Sequence, residues 1–255
     1  MELSLILPTL NERENLRLLI PELFARVPQV VEILVVDDGS TDGTQELTRE
    51  LAVADGRVQL LARAGSPGLT PSLQEGILAA HHDLIGWMDA DLAMSPADLA
   101  QLVAAVEGGA DVAVGSRFAA GGHMKGQTAS GLRGRLAALR NVQNSEDSWI
   151  GVALSWALNV AVLPLLMGDG VHDYTSGFVV MRRDVARDLE LKGDHGEYFI
   201  TMMAHFKRRG LRVVDVPYQI HARQHGKSKT ANSLRDWGRR GVRYLAAAAG
   251  ARLHR

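Results

Sequence analysis

The chain has 255 residues, 46% apolar and 22% charged, with a net charge of −1. That balance supports an ordinary globular core and excludes a general polyanion binder, so no nucleic-acid partner is expected. Cysteine is absent, which removes disulfides, thiolate chemistry and Cys-based zinc sites, and fits a reducing cytoplasm.

From the N-terminus, an apolar run at 3–7 predicts a strand, followed by Pro8, Leu10, Asn11 and Glu12. It lacks the basic region and the apolar length of a signal peptide. Leu16, Leu19, Ile20, Leu23 and Phe24 then recur at helical spacing across 12–26. A β-branched run at 30–36 predicts a second strand ending in Asp37-Asp38-Gly39-Ser40, with Ser40 or Thr41 able to cap a helix over 42–54. A strand at 58–62, a helix at 71–82 and a strand at 84–88 follow. Ser95-Pro96 opens the next helix as cap and first-turn proline, and 111–115 reads as a fifth strand.

Near-continuous apolar strands alternating with helices predict an α/β fold, with a mostly parallel sheet covered on both faces. Ligands of such sheets bind beyond the carboxyl ends of the strands. Asn11-Glu12, Asp37-Asp38, Asp89-Ala90-Asp91 and Ser116-Arg117 all fall there.

The pattern loosens afterwards. Residues 119–148, rich in Gly, Ala, Ser, Arg and Asn, predict a long loop. Residues 149–167 carry no charge over about the length of a membrane span. Ser155, Asn159 and Pro164 argue against a span, leaving a buried core helix or a helix at a membrane interface as the main readings. A strand within 171–181, a helix at 197–209, a strand at 211–216, a basic loop at 221–229 and a helix at 231–249 complete the chain. No linker or repeat is visible. The expectation is one domain over 1–230, with a donor half at 1–117 and an acceptor half at 118–230, and the basic helix 231–255 belonging to it. Residues 221–255 hold nine Lys/Arg against Asp236 alone, so this end suits phosphates or an anionic surface.

No glycine-rich nucleotide loop and no serine-nucleophile elbow appear. Two carboxylates at i and i+2 after a strand, Asp89 and Asp91, suit Mg²⁺ or Mn²⁺ bound together with a diphosphate. Taken alone the pair also reads as an acidic turn. Five of the nine His residues, His172, His195, His205, His221 and His225, show no metal-ligand spacing and read as loop or surface residues.

In combination, "LPTLNERENL", "VVDDGSTDGT", "MDADLAMSP" and "GSR" resemble the family 2 glycosyltransferases of the Rossmann-like GT-A fold. "SGFVVMRRDV", "VVDVPY" and "RQHGKSK" look like the polyprenyl-phosphate (dolichol-phosphate) mannosyltransferase branch. The resemblance implies an inverting, metal-dependent transfer of mannose from GDP-mannose to polyprenyl phosphate. The enzyme would sit peripherally on the cytoplasmic face of a membrane.

By the same resemblance Pro8, Asn11, Glu12, Asp37 and Asp38 surround the nucleotide. Asp89 and Asp91 hold the sugar diphosphate and metal, with Ala90 alongside. Arg117 meets the donor, and Arg183, Arg223 and Lys229 hold phosphates. The chain departs from the pattern at Leu10, where a Tyr is usual, at Ala93, where a polar ligand is frequent, and near Thr201 or Met202, where a Glu is frequent. Asp173 remains a candidate base. A hydroxyl acceptor, or donor binding without turnover, are the alternative readings.

Overall fold

The computed structural model describes residues 1–122, 158–164, 170–193, 196–221 and 234–253. Its elements are β1 (Leu3–Thr9), α1 (Arg13–Arg26), β2 (Val30–Asp37), α2 (Thr44–Ala54), β3 (Val58–Ala62), α3 (Leu69–Ala79), β4 (Leu84–Trp87), α4 (Pro96–Glu107) and β5 (Val112–Ser116). A π-helical turn (Leu158–Val162), β6 (Val179–Arg182), α5 (Arg183–Arg187), α6 (Glu197–Arg208), β7 (Val213–Pro217) and α7 (Leu234–Leu253) follow. The seven strands form one sheet in the order β3-β2-β1-β4-β6-β5-β7. Every pairing is parallel except those of β6, which runs antiparallel between β4 and β5.

Leu5, Leu7, Ile33 and Val35 face a layer formed by α1, α2 and α4. Ile6, Leu34, Val36, Ile85 and Trp87 face α3, α5, α6 and α7. This alternation, with both faces buried, is why the strands read as unbroken apolar runs. Gly86 admits β6: a Cβ there would lie 2.9 Å from the Val179 carbonyl oxygen.

β1 leads to β2 and β3 on one side and neighbours β4 on the other, so the strand order reverses between β1 and β4. A crevice opens beyond the carboxyl ends at such a switch point. Pairing of β1 with β4 ends at Ile6 and Trp87. Thr9 bonds toward the β2 side, accepting from Asp38 N, so Pro8 turns its backbone to the β4 side, beyond the end of that ladder. A residue with no N–H therefore removes no sheet bond.

One expectation changes. Ser40 and Thr41 do not cap α2, whose preceding residue is Gly43 in a left-handed conformation (φ 88°). Of the 149–167 segment only 158–164 lies within the described residues. There it forms the π-helical turn and its end, with Asn159 and Leu163 fully buried. No described helix is long and apolar enough to cross a membrane. Residues 123–148 lie outside the described residues.

Candidate active site

The loops after β1 and β2 are stitched into one wall. Asn11 N donates to Ser40 Oγ (2.7 Å), Thr41 N to Asn11 Oδ1 (2.8 Å), Glu12 N to Thr44 Oγ1 (3.1 Å) and Arg13 N to Asp42 Oδ2 (3.2 Å). Thr44 and Asp42 thus satisfy two N–H groups at the start of α1, those of Glu12 and Arg13, which helix geometry leaves without intrahelical partners. Asn11 reaches this position in the left-handed region (φ 55°), which Asn tolerates better than other side chains. Burial raises the Asp42 pKa, but hydrogen bonds from Thr44 and Arg13 outweigh it and hold the carboxyl below its usual range.

Behind this wall lie Glu12 and Asp37, both buried. Glu12 accepts from Asn15 Nδ2 at 2.5 Å. Asp37 Oδ1 accepts from Gly39 N, Ser40 N and Gln45 Nε2, while Oδ2 is buried with no hydrogen-bond partner among the described residues. Asp38 is committed elsewhere. Its Oδ1 pairs with buried Arg63, which also bonds Glu75, and its Oδ2 accepts from Gly68 N at 2.6 Å. Asp38 therefore shapes the 63–68 loop, and Asp37 carries the unsatisfied oxygen.

Across the crevice, Asp89 is exposed and Asp91 is buried just past β4. Asp91 Oδ1 accepts from Ala93 N (3.0 Å) around a tight turn with Leu92 at φ 64°. Ala90 packs into the core. Ala93 O accepts from His221 N (2.9 Å), so the basic 221–229 segment departs from beside this acidic turn. Oxygen-only donors suit a hard Mg²⁺ or Mn²⁺ ion. Among the described residues no set of three or more His, Cys, Asp or Glu side chains could hold a metal. An ion held by Asp89 and Asp91 would complete its shell with diphosphate and water.

Arg117, next along the edge, is held by Asp173. Its Nε lies 2.7 Å from Oδ2, its Nη2 2.8 Å from Oδ1, and its backbone N also bonds Oδ2. Asp173 is fully buried. Burial lowers the Arg117 pKa, but the charge and hydrogen bonds of Asp173 more than reverse this and raise it. The arginine turns at most its Nη1 side to a ligand. Asp173, the candidate base, works instead as the arginine's counter-ion. Trp87 Nε1 donates to Tyr198 Oη (3.3 Å), and burial pushes the Tyr198 and Tyr218 hydroxyls up.

The structure thus gathers Pro8, Asn11, Glu12, Asp37, Asp89, Ala90, Asp91 and Arg117 along one edge. It does not bring Arg183 there. Because β6 is antiparallel, Arg182 pairs with Leu84, and Arg183 N bonds Asp83 O at the amino end of β4. Its Nη1 donates to the His81 carbonyl. At ~3.3 Å per residue this is about 20 Å from Asp89 along the strand, so the phosphate role expected of Arg183 is withdrawn. Arg223 and Lys229 lie outside the described residues. Arg63 carries no distinguishing pattern in the sequence, where it is a lone Arg after a strand. Asn159 is legible there only as a polar residue that argues against a span; its bonds to Tyr174 and Thr175 are not.

The model of the family described as "Glycosyl transferase family 2" matches residues 4–190. A polyprenol monophosphomannose synthase of Mycolicibacterium smegmatis is 35% identical, over 92% of this chain and 86% of that protein. A dolichol-phosphate mannosyltransferase of Pyrococcus furiosus is 31% identical, over 90% of this chain and 59% of that one. An undecaprenyl-phosphate mannosyltransferase of Micrococcus luteus is 30% identical, over 92% and 89%. In fold, the chain resembles glucosyl-3-phosphoglycerate synthase of Mycobacterium tuberculosis, solved with Mn²⁺ and UDP. The TM-score is 0.66 and the identity 20%, over 98% of this chain and 80% of that one. With its GT-A-type sheet and the acidic turns at its carboxyl edge, this chain belongs to glycosyl transferase family 2.

Proposed function

We propose that the chain transfers mannose from GDP-mannose to the phosphate of a polyprenyl phosphate, with a divalent metal, at the cytoplasmic surface of a membrane. The observation that carries this reading is similarity over about nine-tenths of the chain to three polyprenyl-phosphate mannosyltransferases. The buried Asp37 Oδ2 suits an N–H of the nucleotide base. Asp89 and Asp91 would hold the metal, which when bound offsets the charge of the departing diphosphate. Arg117 would border the donor, and the 221–229 segment, with Arg223 and Lys229, would reach the phosphates from beside Ala93.

The commitment of Asp173 to Arg117 favours an acceptor that arrives already ionised. A hydroxyl needs a general base, whereas a phosphate monoester, with a second pKa of about 6, is an anion at neutral pH. On α7, Val242 and Leu245 are exposed beside Arg243, and apolar side chains beside cations suit an anionic membrane surface.

The test measures release of nucleoside diphosphate from a panel of nucleotide-sugars with Mg²⁺ or Mn²⁺, with and without polyprenyl phosphate. GDP-mannose turnover that requires both metal and lipid phosphate is expected. Full turnover in chelator refutes the metal role, and transfer to a soluble glycan without lipid phosphate refutes the acceptor.

A further inference from the structure

Asn159 lies in the middle of the uncharged 149–167 segment, on the π-helical turn, and is fully buried. Its amide is fixed in direction by two bonds. Oδ1 accepts from Tyr174 N at 2.8 Å, and Nδ2 donates to Thr175 Oγ1 at 2.9 Å. The same Thr175 oxygen accepts from Arg117 Nη2 at 3.0 Å. With both lone pairs taken, the hydroxyl proton is left to point at Asp173 Oδ1, 3.4 Å away. Asp173 in turn grips Arg117 at two nitrogens. Every donor and acceptor in this chain of contacts has a single consistent direction, and such a network specifies one geometry.

We infer that Asn159 is a positioning residue: acting through Thr175, it sets the orientation of Arg117 and ties the apolar 149–167 segment to the arginine that borders the donor. A π-turn in this place is consistent, since such turns interrupt regular helices frequently at functional sites. The consequence for turnover rests on the mannosyl-transfer reading above; the coupling itself does not.

Asn159→Asp is the incisive variant. It keeps the shape and the acceptor for Tyr174 N, but replaces the donor with a carboxylate. The Thr175 hydroxyl must then turn toward the new carboxylate and away from Asp173, and a second anion competes for Arg117. The Arg117 Nε–H signal in a ¹H–¹⁵N spectrum, assigned by its loss in Arg117→Lys, is expected to shift and to exchange faster with solvent. With GDP-mannose and polyprenyl phosphate, kcat/KM is expected to fall ~10-fold, the scale of one hydrogen bond to a charged group, while thermal unfolding stays cooperative. In a Thr175→Ala background, Asn159→Asp is expected to add little, because coupled sites are not additive. Thr175→Ser, which retains the hydroxyl, should preserve the wild-type signal.

An unmoved Arg117 signal in Asn159→Asp overturns the inference. So does an equal loss of kcat/KM with and without Thr175. A wild-type chain that turns over no polyprenyl phosphate refutes the mannosyl-transfer reading instead, and the Arg117 signal still decides the coupling.

Discussion

Replacing Asp173 by Asn tests how the carboxyl edge of β5 is built. Asp173 is fully buried and takes two charge-assisted bonds from Arg117, at 2.7 and 2.8 Å, besides backbone bonds from Arg117 N and Thr175 N. Asn preserves the shape but removes the counter-charge and sets an amide N–H₂ against guanidinium donors. Breaking a buried ion pair from one side costs about 3–5 kcal/mol, because the remaining charge stays desolvated. The Arg117 side chain is 17% exposed, so some water reaches it and the lower end applies. About 3 kcal/mol corresponds to a fall in Tm of roughly 6–12 °C for a domain of this size. Scanning calorimetry would compare wild type, Asp173→Asn, and the double variant Arg117→Met with Asp173→Leu. Removing both charges should recover much of the loss, since an apolar pair of similar volume is often neutral. A single variant within ~1 kcal/mol of wild type, or a double variant no better than the single, refutes the reasoning.

Other outcomes follow from the same geometry. Asp91→Ala is expected to lower turnover by about 10³-fold, the equivalent of ~4 kcal/mol of lost charge stabilisation. Its stability should fall only by the ~1 kcal/mol of the lost acceptor for Ala93 N, and unchanged turnover removes Asp91 from the metal site. Asn11→Ala loses the acceptor for Thr41 N and also strains a left-handed residue (φ 55°). It should therefore destabilise by about 1–2 kcal/mol, more than Asn11→Gly, in urea denaturation. Gly86→Ala would push a methyl to 2.9 Å from the Val179 carbonyl, and should cost about 1–3 kcal/mol by the same assay. At the amino edge, burial raises the Glu32 pKa, but hydrogen bonds from Ser4 and His81 outweigh it and hold it below 4.5. A lowered carboxyl contributes stability above its unfolded pKa and loses it as pH falls through the folded value. The advantage of wild type over Glu32→Gln should thus be constant above about pH 5 and shrink below about pH 4.5. A difference flat down to about pH 3 contradicts that role for the carboxylate.

The strand and helix alternation was legible because both faces of the sheet are covered, and the first five strands end within two residues of their expected limits. The helix opened by Ser95 and Pro96 was legible for a local reason as well. The Ser95 hydroxyl accepts from Asp98 N, a contact within one turn of the chain. Ser40 and Thr41 carry equally good capping chemistry, yet their partner is Asn11, about thirty residues away, because the β1 and β2 loops meet side by side.

Strand direction decided the remainder. The motif "SGFVVMRRDV" identifies a strand but not which way it runs, and insertion of β6 antiparallel to β4 moved Arg183 to the far edge. Asp173 and Arg117 are 56 residues apart, and nothing local says that two opposite charges will meet in a buried site and neutralise each other. By itself the sequence determined the layered α/β architecture and the acidic carboxyl edge, since both follow from periodicities and turns within a few residues. Only the tertiary structure decided which of those polar groups are already satisfied by each other, because burial and pairing depend on elements brought together across the whole chain.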